Sequence, residues 1–392
     1  MKQIIKKKGY SVKGLKEKMN LTVSDKDLTN SVADKPLDFI TMPEAFQKVV
    51  KLPGFPMGYM SIITGWSNTG KSSCKNEIIA SCINSGILPV IFETENNFDF
   101  QFAIDCGMKA TPVYGEMEVE QINEETGEIS VVKETRIVDY EGDFLYFDSR
   151  LLADRYGNWD YLSNKEVKTK RKIAVIEDIA KCITELLDLQ DKGDIQQPLC
   201  FIWDSVGSIP SYASLTQSKN NMYDAGSISR AFDIILNNRI PTSRSVNEPY
   251  TNTFICVNKI WNDAMNSING IPSIKLKGGE FFTFASRLII HLGGTAKAST
   301  KKLTATVKGE TVNYGIVSKI TVKKNHLPTP FNLTYQGELA FLHNGIWGVD
   351  EIDTYKKTHM KKIISMLEQQ SDGKITTNDA NEIKFGEING EG

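Results

Sequence analysis

The stretch Gly65-Trp66-Ser67-Asn68-Thr69-Gly70-Lys71-Ser72 decides the fold of this chain. The apolar run 59–64 before it predicts a β-strand, and the pattern of residues 72–84 after it predicts a helix. Between the two, the glycines allow the backbone to curl around an anion, while the lysine and the final hydroxyl suit outer phosphates and Mg²⁺. We therefore predict a P-loop that takes ATP and Mg²⁺. Its expected contacts are Gly65, Trp66, Ser67, Asn68, Thr69, Gly70, Lys71, Ser72 and Ser73, with Ser72 also as a metal ligand.

The composition is that of a globular protein. Of 392 residues, 40% are hydrophobic, which is enough to fill a core. The formal net charge of −2 neither implies nor excludes a nucleic-acid partner. Because the chain lacks an apolar stretch of the ~20 residues that span a bilayer, and its start lacks the apolar core of a signal peptide, we expect no membrane association and a cytosolic location. The six cysteines form no C-x-x-C pair, which favours buried reduced thiols over disulfides or zinc ligands.

Further apolar runs predict strands that are buried on both faces of a mainly parallel sheet. They are residues 88–92, 199–203, 253–257 and 288–292. Apolar residues at helical spacing across 173–190 predict a helix that crosses over the sheet before the strand at 199. The predicted fold class is therefore α/β, a P-loop ATPase core with a mainly parallel central sheet flanked by helices.

Composition divides the chain into an arm, a core and an extension. Residues 1–40 are lysine-rich at first and then polar, which predicts an N-terminal arm and linker. Residues 41–335 form the predicted core, with an insertion at 111–172 that begins as a β-hairpin. Residues 336–392 are a C-terminal extension, where an amphipathic helix at 352–369 precedes a Gly-, Asp- and Glu-rich end for which we expect no regular structure.

Two more acidic groups are expected beside the phosphates. The buried strand at 199 ends in Asp204, which would orient Mg²⁺ through a water, although the same residue also suits a helix cap. Hydrolysis needs a base near the terminal phosphate, and strict alternation puts Glu93 and Glu95 on the same side of a strand end. Periodicity alone does not choose between these two glutamates.

A wider resemblance accompanies these motifs. From about residue 42 to residue 331, the chain resembles the RecA-type recombinases, including the phage UvsX-like members. Pro56-Met57-Gly58 resembles the family's entry to the P-loop strand. Glu95-Asn96-Asn97-Phe98-Asp99-Phe100-Gln101-Phe102 is similar, without gaps, to the segment that carries the family's catalytic glutamate and its adenine contacts.

The resemblance implies roles for individual residues. Glu95 would be the base that activates water, Asp99 would contact the adenine edge, and Phe102 would stack on the adenine ring. Val257-Asn258-Lys259-Ile260 resembles the family's sensor of the terminal phosphate, with Asn258 as a nucleotide contact. Lys259 stands where the family typically has glutamine, which implies a different coupling between ATP and DNA.

Two segments resemble the family's DNA-binding loops. Residues 261–277, which close with Gly-Gly, are similar to the second loop, and residues 207–230 occupy the place of the first. Basic residues and glycines suit close approach to phosphates, and an aromatic side chain can stack on a base. A mobile surface loop is the alternative for 261–277. The implied DNA contacts are Lys219, Arg230, Trp261, Lys275, Lys277, Gly278 and Gly279.

A last matching stretch begins at Val322 and ends at Phe331. It resembles the family's Lys-Asn-Lys segment, whose lysines reach the ATP site of the neighbouring subunit. Lys324 keeps the first lysine, so the resemblance implies a catalytic cation supplied in trans. His326 replaces the second lysine, and a solvated Lys323-Lys324 pair is the alternative.

The resemblance implies an ATP-dependent recombination protein. Such a protein would coat single-stranded DNA as a homo-oligomeric filament and promote pairing and strand exchange with ATP hydrolysis, in the cytosol of a bacterium or of a phage-infected host, with loader or single-strand-binding proteins as further partners. A hexameric replicative helicase motor, in which the homo-oligomer is a ring, is one alternative. A regulatory or scaffold ATPase of the same fold without strand exchange is another, and Lys259 and His326 keep it open.

Overall fold

The computed structural model of the chain describes residues 33–122, 129–216, 225–268, 271–276, 280–294, 300–371 and 375–389. For residues 261–275, this description covers the backbone alone. The strands, in chain order, are β1 (Phe39–Thr41), β2 (Gly54–Pro56), β3 (Met60–Gly65), β4 (Leu88–Glu93), β5 (Thr111–Ile122), β6 (Ile129–Glu141), β7 (Leu145–Asp148), β8 (Trp159–Asp160), β9 (Lys165–Glu166), β10 (Leu199–Val206), β11 (Thr253–Ile268), β12 (Ile271–Leu276), β13 (Ser286–Leu292), β14 (Thr300–Val307), β15 (Glu310–Asn325), β16 (Gln336–Leu342), β17 (Gly345–Trp347) and β18 (Lys384–Asn389).

Along the chain, most of the helices alternate with strands. In chain order they are α1 (Glu44–Val50), α2 (Lys71–Asn84), α3 (Phe100–Asp105), α4 (Ser149–Tyr156), α5 (Ile176–Asp191), α6 (Tyr212–Thr216), α7 (Ala225–Ile234), α8 (Ile240–Thr242), α9 (Glu280–Ala285), α10 (Ile352–Thr358) and α11 (Met360–Gln370). A π-helical segment, Ile235–Arg239, joins α7 to α8, and 3₁₀ turns cover Val349–Glu351 and Thr377–Glu382.

A large sheet holds the described part of the chain together. Its strand order is β17-β16-β15-β13-β3-β11-β10-β4-β7, with β12 paired to β11, and β14 paired to both β15 and β18. The strands from β13 to β7 in this order are all parallel to their neighbours. The strands beyond β13 continue the sheet in antiparallel fashion. The protein is therefore mixed α/β, with a mostly parallel central sheet flanked by helices, as the sequence predicts.

The parallel strands coincide with the apolar runs of the sequence. Each of the four runs named above, and the run before the glycine loop, lies within or overlaps one of these strands. In β10 every residue is buried, because helices cover both faces of the sheet at this strand. The predicted crossover helix is α5, whose first turn is fixed where Asp178 accepts a hydrogen bond from the Val175 amide at 2.8 Å and pairs with Arg171 at 2.7 Å.

Apolar side chains form a cluster on each face of the sheet. On one face, Ile63, Ile202 and Ile255 pack with residues of α2 such as Ile78. On the other, the large side chains Phe201, Trp203 and Phe254 pack against α5 and α7, and the rings of Trp203 and Phe232 stack 5.5 Å apart. A third cluster joins β14 and β15 to α10 and α11, so the C-terminal helices pack onto the antiparallel end of the sheet.

The predicted insertion, 111–172, divides into two parts in the structure. Its first part is the expected hairpin, β5 and β6, which pair with each other over their length. In its second part, β7 pairs in parallel with β4 and extends the central sheet. The C-terminal end also differs from the expectation of no regular structure, because β18 pairs with β14. The first 32 residues lie outside the described part of the chain.

The structure also bears on the cysteines, on the C-terminal amphipathic helix and on membrane-spanning helices. All six cysteines are buried free thiols. The predicted amphipathic helix, 352–369, falls in α10 and α11, which are separated at His359. None of the helices in the described ranges combines the length and the apolar character needed to cross a membrane.

Candidate functional site: a phosphate loop with paired lysines and carboxylates

The glycine loop lies between β3 and α2, at the edge of the sheet where the parallel strands end. Gly65 has φ of +156°, and a Cβ there would lie 2.2 Å from the Leu292 carbonyl oxygen. Gly70 has φ of +97°, and a Cβ there would lie 2.6 Å from the ring of Phe341. Both positions require glycine, because the neighbouring strands approach the loop this closely. The loop leads straight into α2, whose first amides are available to bind an anion.

Lys71 is the cation of this loop. Its ammonium group donates a hydrogen bond to the Trp66 carbonyl, and the Thr69 hydroxyl donates to the same oxygen at 2.8 Å. The pKa of Lys71 is lowered to about 8, mainly by burial and also by the nearby Lys259, while Asp204 and Glu95 act in the opposite direction. A phosphate at this position would favour the charged form of Lys71. Ser72 is exposed in the first turn of α2, and Ser73 behind it is buried.

A cavity of about 370 Å³ opens beside the loop. Residues 68–73 and Phe102 line it together with Tyr314 of β15, Phe341 of β16 and His343 of the turn that follows β16. Phe102, to which the resemblance assigns stacking on adenine, therefore borders the same cavity as the phosphate loop. Asp99 immediately precedes α3 and caps it, since its carboxylate accepts a hydrogen bond from the Phe102 amide at 2.9 Å.

Lys75 is a functional candidate that the sequence reading missed. It lies one turn after Lys71 on α2, is buried, and donates hydrogen bonds to Asp204 at 2.6 Å and to Glu93 at 3.1 Å. Burial alone would lower the pKa of Lys75, but the two carboxylates outweigh it and raise the pKa. A lysine four residues after the loop lysine, one helical turn on, is the signal that could have found it.

Glu93 ends β4, and Asp204, two residues before the end of β10, is paired with it in register. One oxygen of Asp204 is bound by Lys75, and the side chain is largely buried beneath the loop. Glu93 is fully buried, and its second oxygen accepts a hydrogen bond from the Glu95 amide at 2.9 Å. This arrangement separates the two glutamates that periodicity left equivalent: Glu93 is held by buried partners, and Glu95 lies nearer the surface.

The donor set fits a magnesium ion that arrives with a nucleotide. In the described part of the chain, no group of three or more histidine, cysteine or carboxylate side chains is placed to hold a metal by itself. The Ser72 hydroxyl and the second oxygen of Asp204 are hard oxygen donors, and Mg²⁺ usually takes one or two protein oxygens together with phosphates and water. Mg²⁺ would therefore belong to the substrate and neutralise phosphate charge there.

Glu95 is held by two neighbours at the strand ends. The Ser205 hydroxyl donates a hydrogen bond to one oxygen of Glu95, and the Lys259 ammonium lies 2.8 Å from the other. Partial burial would raise the pKa of Glu95, but these two hydrogen bonds outweigh it and hold the pKa below its ordinary value. An ionised carboxylate at this place can act as a base towards water.

The segment that resembles the family's phosphate sensor lies within β11, before the strand continues into the hairpin with β12. Asn258 is fully buried and is paired in register with Thr64 of β3. Lys259 is paired with Gly65, the first residue of the loop, and its side chain crosses the end of β10 to reach Glu95. The phosphate loop, Asp204, Glu95, Asn258 and Lys259 therefore lie side by side.

Three of the expected DNA contacts lie in the described part of the chain. Trp261 and Lys275 are cross-strand partners in the hairpin formed by the end of β11 and by β12, so the second loop of the sequence reading is largely a β-hairpin. Arg230 is exposed on α7, where its guanidinium donates to the Gly226 carbonyl. Lys219, Lys277, Gly278 and Gly279 lie outside the described residues.

Lys324 is paired with the middle of β13, and its ammonium group points away from the phosphate loop of its own chain. It is paired with Ile289 of β13, whereas the loop residue Gly65 is paired with Leu292. Its ammonium group donates to the carbonyls of Thr283 at 2.6 Å and Phe284 at 3.2 Å, which end helix α9. Burial and the nearby Arg287 lower the pKa of Lys324.

Comparison of the chain with models of known protein families and with curated proteins gave no match. An anion-binding loop, two lysines, a carboxylate suited to Mg²⁺ and a second carboxylate held as an ion suit the transfer of a terminal phosphoryl group to water.

Proposed function

We propose that this chain is a RecA-type ATPase that binds single-stranded DNA as a filament and promotes homologous pairing and strand exchange. The observation that carries the ATPase part is the meeting of the glycine loop, Asp204 and Glu95 at one edge of the parallel sheet. In the proposed reaction, Glu95 accepts a proton from the attacking water, and Lys71 stabilises the charge on the transferring phosphoryl group.

The DNA part of the proposal is supported by the hairpin that continues from the site. β11 contributes Lys259 to the site and then extends as far as Ile268 to pair with β12. A ligand bound to this hairpin would therefore act on the same strand that carries Lys259. The resemblance of residues 261–279 to a DNA-binding loop supports DNA as that ligand, and a local contact of this kind suits a protein of net charge −2.

A regulatory ATPase without strand exchange is the second candidate. The specific observation in its favour is the ion pair between Lys259 and Glu95, which neutralises the proposed base. A helicase motor shares the ATPase site, but it would assemble as a ring and separate duplex DNA. The three candidates differ in their response to DNA and in their assemblies.

The test combines turnover, DNA dependence and microscopy. ATP hydrolysis is measured with and without single-stranded DNA for the unsubstituted protein, Lys71→Ala, Glu95→Gln and the control Lys192→Ala, an exposed lysine at the end of α5. We expect Lys71→Ala to abolish turnover, Glu95→Gln to bind ATP without hydrolysing it, and the control to match the unsubstituted protein.

Negative-stain images with ATP and single-stranded DNA should contain filaments. Rings that unwind duplex DNA would replace this proposal with the helicase motor. Hydrolysis without any DNA binding would favour the regulatory ATPase. A fully active Glu95→Gln protein would contradict the assignment of the base.

A further inference from the structure

Lys259 occupies an unusual position between the proposed base and the phosphate loop. It starts beside Gly65, since the two residues are paired in register, and its ammonium group ends 2.8 Å from the Glu95 carboxylate. The Lys259 side chain is 45% exposed, so it has room to change its direction. In contrast, Lys75 is enclosed by its carboxylates and has no such room.

The charges around Lys259 are arranged for a ligand. Lys259 is paired with the first residue of the phosphate loop, and Lys71 begins the helix that follows the loop, so both ammonium groups belong to the same anion-binding turn. Two ammonium groups that repel one another at the end of an anion-binding loop would both be stabilised by a terminal phosphate. The exposed side chain of Lys259 therefore has two possible anionic partners, the Glu95 carboxylate and that phosphate.

We propose that Lys259 is a shared cation that locks Glu95 in the nucleotide-free protein and moves to the terminal phosphate of a bound nucleoside triphosphate. This proposal rests on the ATPase function given above and adds a determinant of specificity to it. A diphosphate lacks the terminal phosphate and leaves the lock closed. A triphosphate takes the ammonium group and leaves the Glu95 carboxylate free to accept a proton from water.

The exchange also gives the β11–β12 hairpin a route to the base. Lys259 belongs to the same strand as the hairpin, only two residues before Trp261. A ligand that shifts this strand would change the distance between Lys259 and Glu95. Ser205 holds the other oxygen of Glu95, so the carboxylate stays in place when the lysine leaves.

The first test compares triphosphate and diphosphate binding. Dissociation constants for ADP and for a non-hydrolysable ATP analogue, both with Mg²⁺, are measured by calorimetry on the full chain. For Lys259→Gln we expect the analogue to bind about tenfold more weakly, as for the loss of one charge-assisted hydrogen bond, with ADP binding unchanged within about twofold. Lys259→Arg should keep most of the preference, and the exposed control Lys192→Gln should keep all of it.

The second test follows the base itself. The pH dependence of kcat/KM reports groups of the free enzyme. The charged groups that face Glu95 are Lys259 from β11, Lys71 from α2 and the Glu93 carboxylate that ends β4. Removing Lys259 takes away a positive neighbour, so the acid limb of the profile should move to higher pH by about one unit in Lys259→Gln and should stay in place in the control.

Each outcome has a distinct meaning. A Lys259→Gln protein with the original preference and the original acid limb would overturn the exchange. Equal weakening of both nucleotides would also overturn it, because Lys259 would then only support the loop. If the unsubstituted protein and the Lys192→Gln control bind neither nucleotide, the proposed ATPase function fails first. If both proteins bind and hydrolyse ATP, the results for Lys259→Gln test the exchange independently of the proposed ATPase function.

Discussion

At the scale of single residues, the buried ammonium group of Lys75 organises the acidic side of the site. Its side chain is 4% exposed and contacts Glu93 and Asp204, which are themselves buried. Charges in such a place are tolerated only when they are paired. Lys75 therefore fixes the orientation of the Asp204 carboxylate and keeps one of its oxygens away from any metal.

Substitution of Lys75 should destabilise the fold as well as the site. Lys75→Met removes the shared cation and leaves two carboxylates buried together, which should lower the free energy of unfolding by about 3–5 kcal/mol. Urea unfolding measures the effect, with the exposed Lys192→Met as the control. Adding Glu93→Gln to Lys75→Met should recover part of the loss. A single variant as stable as the unsubstituted protein would contradict the buried ion triad.

Glu77 adds a pH dependence to the same helix. One of its oxygens accepts a hydrogen bond from the Ile346 amide at 3.0 Å, and burial raises its pKa from 4.5 to about 7 despite that bond. The folded chain therefore holds a proton that the unfolded chain has released between these values, so stability falls as pH rises through this window.

Removal of the Glu77 charge should cancel this loss. We expect Glu77→Gln to be about 2 kcal/mol more stable than the unsubstituted protein at pH 8 and nearly equal to it at pH 5, where the folded carboxyl is already neutral. Urea unfolding at the two pH values measures the difference. The exposed Glu118→Gln serves as the control, and a variant that gains nothing at pH 8 would show that Glu77 ionises freely in the folded chain.

At the scale of elements, the parallel strands and α2 could be predicted because each depends on local sequence. Strands buried on both faces must be apolar throughout, as β10 is, and glycines mark the loop before α2. β18 could not be predicted, because its polar sequence forms a strand only through its pairing with β14. The role of Lys75 could not be predicted for a similar reason, because its partners Glu93 and Asp204 come from separate parts of the chain.

Substitutions in the β11–β12 hairpin test the proposed DNA binding. Trp261 and Lys275 are cross-strand partners, so an aromatic residue and a basic residue occupy the same level of the hairpin. Lys275→Ala should weaken binding of single-stranded DNA and reduce the slope of log K against log salt by about 1. Trp261→Ala should weaken binding by about 1–3 kcal/mol with the slope unchanged, since stacking releases no counterions.

Fluorescence anisotropy with a labelled oligonucleotide over a range of salt concentrations separates these two effects. The exposed Lys192→Ala, which lies outside the hairpin, is the control for a general loss of positive charge. If both hairpin variants bind as tightly as the unsubstituted protein, the hairpin is not the DNA contact. Their ATP binding should stay unchanged if the hairpin contacts DNA alone.

At the scale of the whole molecule, the sheet separates Lys324 from the phosphate loop of its own chain. Gly65 is paired with Leu292, the last residue of β13, and Lys324 is paired with Ile289 in the middle of that strand. The Lys324 ammonium group binds carbonyls that precede β13, so it points away from the loop of its own chain. A cation that points away from its own loop would meet a phosphate loop between two copies arranged head to tail. Such heterologous contacts build open filaments or closed rings.

Mixing two inactive variants tests this arrangement. In Lys71→Ala the loop is damaged but Lys324 is intact, and in Lys324→Ala the reverse holds. If Lys324 acts in trans, a copy of the second variant that lies beside a copy of the first forms a site with both lysines. An equal mixture should then regain about one quarter of the DNA-dependent ATPase activity of the unsubstituted protein, because one in four random interfaces combines the two intact parts. Each variant alone should remain inactive, and a mixture with Lys71→Ala/Lys324→Ala in place of Lys71→Ala should stay inactive. Activity in Lys324→Ala alone would mean that this lysine only caps α9, whose carbonyls it already binds.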